Sequence, residues 1–136
     1  MAEDCIFCKI AAGELPSETV QEDEHTVAFM DINPWTRGHA LVIPRNHSPN
    51  LYEVGEDDLR RTSSAAKRLA LRMRERLRCD GVNLLNASEP AAWQTVFHFH
   101  MHVIPRYDDD PLRLPVRPQQ AEQEELAKVA AELRGG

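Results

Sequence analysis

Apolar positions recur with two different periods along the chain, and the change from one to the other marks the predicted elements. "CIFCKIAAG", residues 5–13, is a short turn or helix closed by Gly13. "TVQEDEHTVAFMDI" reads as two strands about the polar turn "EDEH", and "GHALVIPR" as a third strand stopped by Pro44. From Asp57 to Arg78 the period lengthens. Leu59, Ala66, Leu69, Ala70, Met73 and Leu77 recur at helical spacing, and Asp57 and Asp58 suit the positive end of the helix dipole. "GVNLLN" is a fourth strand and "TVFHFHMHVI", residues 95–104, a fifth. A Pro-rich stretch from Pro105 to Pro118 precedes a tail helix in "AEQEELAKVAAELR", whose stripe is Leu126, Val129, Ala130 and Leu133. No internal repeat or linker interrupts this order, which predicts one α+β domain over 1–136, its core at about 5–106, with a mostly antiparallel sheet.

Composition narrows the class. With 136 residues, 42% hydrophobic and 28% charged, the chain can close one core without disulfide staples. No apolar run reaches the roughly 18 residues of a membrane span, and the N-terminus carries acids where a signal peptide carries bases, so a cytoplasmic protein without a membrane partner is expected. Cys5, Cys8 and Cys79 are odd in number, and two lie three apart, which suits a reducing compartment and a metal or redox pair. The formal charge of −6 argues against a nucleic-acid partner. The eight basic residues between Arg60 and Arg78 have no aromatic interleaving and read as a solvated helix face.

Three of the six histidines fall at every second position of "HFHMH". Residues two apart share one face of a strand, so His98, His100 and His102 converge there while Phe97, Phe99, Met101 and Val103 fill the other face. Neighbouring members stand roughly 6.5–7 Å apart at Cα and the outer pair about twice that, too far for one zinc ion to gather all three. An exposed sheet face has no need of histidine, whose ordinary pKa of about 6.5 leaves it mostly neutral at pH 7 and nucleophilic without a separate base. His100, flanked on both sides, is the natural nucleophile. Its neighbours can stabilise phosphate oxygens and the leaving group.

"CIFCKI", "FMDINPWTRGHALVIPR" and "QTVFHFHMHVIPR", in this order and spacing, resemble the histidine triad (HIT) family over most of the chain, from Cys5 to Arg106. The length and the "VIPR" endings look like the small bacterial HIT hydrolases of the phosphoramidase type. That resemblance implies a HIT-like fold and a homodimer. It also implies a two-step nucleotidyl transfer, in which His100 attacks the α-phosphorus of a purine nucleoside 5′-phosphoramidate or related ester and water releases the monophosphate. On the same basis His102 and His39 contact phosphate oxygens, Gln94 and Thr95 lie beside the α-phosphate, and Thr95 assists the leaving group. Asn86 lines the site, Asp31 accepts the ribose hydroxyls, and Phe7, Ile10, Leu15, Phe29 and Ile32 form the base slot. A dinucleoside polyphosphate hydrolase or phosphorylase, or a nucleotide-binding module with incidental turnover, are the competing readings.

Cys-x-x-C alone is compatible with redox chemistry, structural zinc or chance. His47 and one outer triad histidine are available as further ligands, and the family resemblance selects His98, implying a closed Cys2His2 structural zinc site of Cys5, Cys8, His47 and His98. Trp93 stands where the family usually has Gly before the Gln of the phosphate loop. With Trp35 it suggests a mouth suited to a larger aromatic or acyl leaving group.

Overall fold

The computed structural model describes residues 4–135, so Met1, Ala2, Glu3 and Gly136 of the expected domain lie outside the described residues. Helix α1 spans Ile6–Ala11, strand β1 Thr19–Glu22, β2 Thr26–Met30, β3 Ala40–Pro44, α2 Glu56–Leu77, β4 Gly81–Leu85, β5 Met101–Arg106 and α3 Gln123–Leu133. The five strands form one antiparallel sheet in the order β1-β2-β3-β5-β4. This is the α+β arrangement that the periodicity predicts.

Strands β2 and β3 are buried on both faces because each face has its own cover. On one face α2 lays Ala65, Ala66, Leu69 and Met73 against Ala28, Ala40, Val42 and Val103. Glu56, Asp57 and Asp58 occupy its first turn and oppose the positive end of the dipole. The basic residues of α2 pair locally: Arg60 with Asp57, Arg61 with Asp58 and Arg68 with Asp23, while Arg72 donates to the carbonyl of Val20. On the other face Cys5 and Phe7, at the start of α1, pack on Val27, Phe29, Leu41 and Ile43. This second, smaller layer is where the histidines gather.

Gly38 joins the two layers. Its φ is +94°, the left-handed region that favours glycine, and a Cβ there would press on Leu77 Cδ1 and lie 3.1 Å from Pro105 Cγ, where the chain passes under the end of α2 to enter β3 after His39.

One expectation is corrected. The fifth strand begins at Met101 rather than Thr95, so His98 and His100 precede the ladder. Strand β3 pairs with β5 only through Ala40, Leu41 and Val42 and ends at Pro44, which has no N–H to donate, while the N–H of Phe99 turns aside to the Ser48 carbonyl at 2.7 Å. The apolar face opposite the histidines therefore stops at Phe99, and Phe97 is exposed. The tail helix forms, but its stripe is uncovered, with Leu126, Val129 and Leu133 all exposed. The turn before it is anchored by Asp110, which accepts from Arg106, Tyr107 N and Leu112 N; the guanidinium first and these amides next hold its carboxyl well below the usual carboxylate range.

Candidate active site and metal centre

The triad divides into two neighbouring constellations. His98 turns toward α1, where Cys5 Sγ, Cys8 Sγ, His47 Nδ1 and His98 Nδ1 converge. His98 Nδ1 lies 3.3 Å from Cys5 Sγ, 3.4 Å from Cys8 Sγ and 3.3 Å from His47 Nδ1, and Cys8 Sγ lies 3.4 Å from His47 Nδ1. All four atoms fall within 4.8 Å of one another. Zinc bonds of roughly 2.3 Å to sulfur and 2.0–2.1 Å to nitrogen give tetrahedral edges of about 3.3–3.8 Å, so the donor set and its spacing fit a closed zinc site. The orientation fits as well. His98 Nε2 donates to the Pro44 carbonyl at 2.8 Å, which leaves the Nδ1 lone pair facing the cysteines. Burial pushes His98 down to about 4, and burial together with neighbouring Cys5 pushes the Cys8 thiol up to about 11. A cation is what this cluster of reluctant charges would accommodate.

His100 and His102 face the second constellation, their rings 5.0 Å apart. His100 is buried, and its Nδ1 lies 2.7 Å from the main-chain oxygen of His98. A carbonyl only accepts, so Nδ1 carries the proton and Nε2 holds the lone pair. A second chain of bonds fixes the other imidazoles. The Trp35 N–H donates to His39 Nδ1 at 3.0 Å, so His39 carries its proton on Nε2 and donates it to His102 Nδ1 at 2.9 Å. His102 must then carry its own proton on Nε2. Adjacent rings thus present a lone pair at His100 and an N–H donor at His102.

Burial is the first cause of the lowered pKa of His39, His100 and His102, with His102 pushed down to about 4. All three are neutral near pH 7 in consequence. Asp31 Oδ2 stands 3.5 Å from His39 Nε2 and 4.0 Å from His102 Nδ1, and its Oδ1 accepts from Asn33 N. These three residues also come close enough to consider a metal ion, but the same imidazole nitrogens are already spent on the His39 to His102 bond.

Other expected site residues take varied places. Both nitrogens of His39 are engaged inside the protein and its side chain is fully buried, so it has no free donor for a phosphate oxygen; it reaches the site only through His102. Gln94 is likewise turned inward, donating to Pro49 O and Val96 O and accepting from Glu89 N, which holds the 86–97 loop in shape. Thr95 is exposed, in a cleft shared with Cys5, His47 and Phe97. Asn86 donates to the His100 carbonyl at 3.0 Å and accepts from Ser88, so it braces the backbone at His100. Phe7 packs edge-on to Phe29 at 5.3 Å and to His100 at 5.1 Å. Phe29 is buried, Ile10 and Leu15 border the same layer with greater exposure, and Ile32 is 91% exposed.

Three features were invisible in the residue types alone: the His98 carbonyl, the Trp35 N–H and the Pro44 carbonyl. All are main-chain groups, and no side-chain pattern announces them. The indole of Trp35 also stacks on His102, 16° from parallel with centroids 5.7 Å apart. Trp93 closes a 3-10 turn at Pro90–Ala92 in left-handed conformation, φ +78°, and is well exposed.

The chain and its fold have counterparts among known proteins. The HIT domain family model matches residues 12–109. The chain belongs to the HIT family. It is 48% identical over 106 residues to "Protein hit" of Bacillus subtilis, covering 78% of this chain and 73% of that protein. An uncharacterized HIT-like protein of Methanocaldococcus jannaschii is 43% identical over 106 residues, covering 78% of this chain and 81% of that protein. Among solved structures, a HIT family member from Bacillus subtilis superposes with a TM-score of 0.89 at 38% identity, covering 97% of this chain and 96% of that chain. A Zn-bound histidine triad family protein from Mycobacterium smegmatis gives 0.80 at 36% identity, covering 99% of both. HIT proteins are generally nucleotide hydrolases or transferases. Among the described residues no helix is long and apolar enough to cross a membrane.

Proposed function

We propose that this HIT protein hydrolyses purine nucleoside 5′-phosphoramidates or related nucleotidyl esters at the α-phosphate, through a nucleotidyl intermediate on His100. One observation carries this reading: hydrogen bonds within the protein leave a lone pair on His100 Nε2 directly beside an N–H donor on His102.

In the first step His100 Nε2 bonds to phosphorus while the bond from phosphorus to the leaving nitrogen breaks. The departing amine takes up a proton from solvent. Positive charge then develops on the His100 ring, and the His98 carbonyl at Nδ1–H stabilises it. His102 Nε2–H donates to a phosphate oxygen, oriented by His39 and, behind that, by the Trp35 amide. In the second step water bonds to phosphorus and releases a proton to solvent, the bond to Nε2 breaks with its electron pair returning to the neutral His100 ring, and a nucleoside monophosphate leaves. Asp31 holds the ribose hydroxyls as a two-oxygen acceptor, and Phe7, Ile10, Leu15, Phe29 and Ile32 bound the base.

Cys5, Cys8, His47 and His98 would hold a structural zinc ion, whose chemistry there is only to cross-link α1 to the segment that carries His100. We also read the protein as a homodimer of the cytoplasm. Edge strand β4 exposes Val82 and Leu84, and neighbouring α2 exposes Leu71, an apolar strip that a second copy would cover.

The test is turnover of adenosine 5′-phosphoramidate by wild type and by His100→Asn. The expected result is that the variant binds the nucleotide but loses turnover by roughly 10³-fold or more, as for removal of a nucleophile. Quenching in denaturant at alkaline pH, where the phosphorus–nitrogen bond survives, should trap a nucleotidyl adduct on His100 in wild type alone. Equal turnover by both proteins would overturn the reading.

A further inference from the structure

Four rings stand in a row across the site: Phe7, His100, His102 and Trp35, with neighbouring centroids 5.1, 5.0 and 5.7 Å apart. If the base lies toward Phe7, the remaining flank of the phosphorus is bounded by His102 and Trp35. The indole of Trp35 is pinned from behind and open in front. It lies nearly parallel to His102 and edge-on to His39, at 5.3 Å and 68°, yet the residue is 44% exposed beside a fully buried His39.

Its backbone is fixed too. The Trp35 N–H is tied to His39 Nδ1, and the next residue, Thr36, donates its hydroxyl to the Pro105 carbonyl at 2.6 Å. An exposed indole on so rigid a mount is a preformed stacking surface. Beyond it opens a trench lined by Pro34, Trp35, Arg37, Tyr107, Asp109 and Pro111. Tyr107 is held there by its hydroxyl, which donates to the Arg37 carbonyl at 2.7 Å. The trench offers a second aromatic wall and, in Asp109, an exposed carboxylate. An amine freed from phosphorus takes a proton and becomes a cation at neutral pH, which aromatic faces and a carboxylate both attract.

We infer that Trp35 determines leaving-group specificity, and that the site selects phosphoramidates whose amine carries a flat aromatic ring. This rests on the phosphoramidase reading and names the substrate class for it.

The experiment compares two adenosine 5′-phosphoramidates, one of an indolyl-ethyl amine and one of a butyl amine, in wild type, Trp35→Phe and Trp35→Gln. The kcat/KM ratio of aromatic to alkyl substrate should be about 10 in wild type, the size of a good aromatic stacking preference, fall partway in Trp35→Phe and approach 1 in Trp35→Gln. A second arm uses His100→Asn in a Trp93→Phe background, where Trp35 is the sole tryptophan. There a non-emitting aromatic phosphoramidate, that of a 4-nitrobenzyl amine, should quench Trp35 emission and the alkyl substrate should not. A wild-type ratio near 1, or a ratio unchanged in Trp35→Gln, overturns the inference. Were wild type to turn over neither compound, the phosphoramidase reading would fail, and the fluorescence arm would still decide whether Trp35 receives an aromatic group: selective quenching supports it and equal quenching overturns it.

Discussion

The ring of His98 closes the Cys5, Cys8 and His47 cluster through Nδ1, while the main-chain oxygen of the same residue holds the Nδ1–H of His100 at 2.7 Å. One residue thus belongs to both constellations. Phe7, on the helix that begins at the two cysteines, touches both rings, 6.1 Å from His98 and 5.1 Å from His100.

Metal removal should therefore be felt at His100, the proposed nucleophile. Stripping the protein with a strong chelator should release one zinc per chain and lower the thermal midpoint by about 10 °C or more, a few kcal/mol for a chain of this size. The Nδ1–H of His100, expected to exchange slowly in the metal-bound protein because it is buried and bonded, should disappear from proton NMR spectra at the same time. Because the Cys8 thiol is pushed up to about 11, metal binding must expel protons, and zinc affinity should fall steeply as pH is lowered from 8 to 6. A stripped protein with an unchanged midpoint and an intact His100 proton would contradict this linkage.

Acid should weaken the fold through His102. In the unfolded chain this ring takes a proton near 6.5, but in the folded protein only near 4, so the unfolded state binds more protons between those values. The stability that His102 contributes is present above pH 6.5 and lost as pH falls toward 4, on the order of a few kcal/mol at most. Urea midpoints at pH 7 and pH 5 should differ more in wild type than in His102→Asn.

Gly38→Ala should destabilise by about 1–3 kcal/mol, combining a left-handed backbone with overpacking against Leu77. His39 is the next residue, so its bond to His102 should slip as well, and turnover should fall by more than the folded fraction does. Chemical denaturation alongside kcat measured on the folded protein separates the two effects.

The 86–97 loop carries two non-glycine residues at positive φ, Glu89 at +77° and Trp93 at +78°. Glu89→Gly and Trp93→Gly should each stabilise by about 1 kcal/mol, relief of left-handed strain outweighing added chain entropy. A lower melting temperature in both variants would show that their side chains make compensating contacts.

Charging the exposed strand edge should dissociate the proposed dimer. Sedimentation of Val82→Lys with Leu84→Lys should report a folded monomer where wild type reports a dimer, because a lysine pair cannot be buried in an apolar seam without large desolvation.

Much of this protein is legible in its amino-acid order. Two strands around "EDEH", a third before Pro44, the long helix and the edge strand all follow from local periodicity, which needs no knowledge of what lies opposite. So does the convergence of His100 and His102, since it depends only on extended backbone. The alternation in "FHFHMH" misled at its first half. Whether Phe97 and His98 join a strand depends on where β3 ends and on the Ser48 carbonyl, some fifty residues away in the chain.

The uncovered stripe of α3 is a similar case, because periodicity shows that a face is apolar and not what it meets. Tertiary structure alone decided which nitrogen of each imidazole holds its proton. Residue types reveal that histidines are present, but the His98 carbonyl and the Trp35 amide assign their tautomers, and main-chain groups reach those rings only once the sheet has folded.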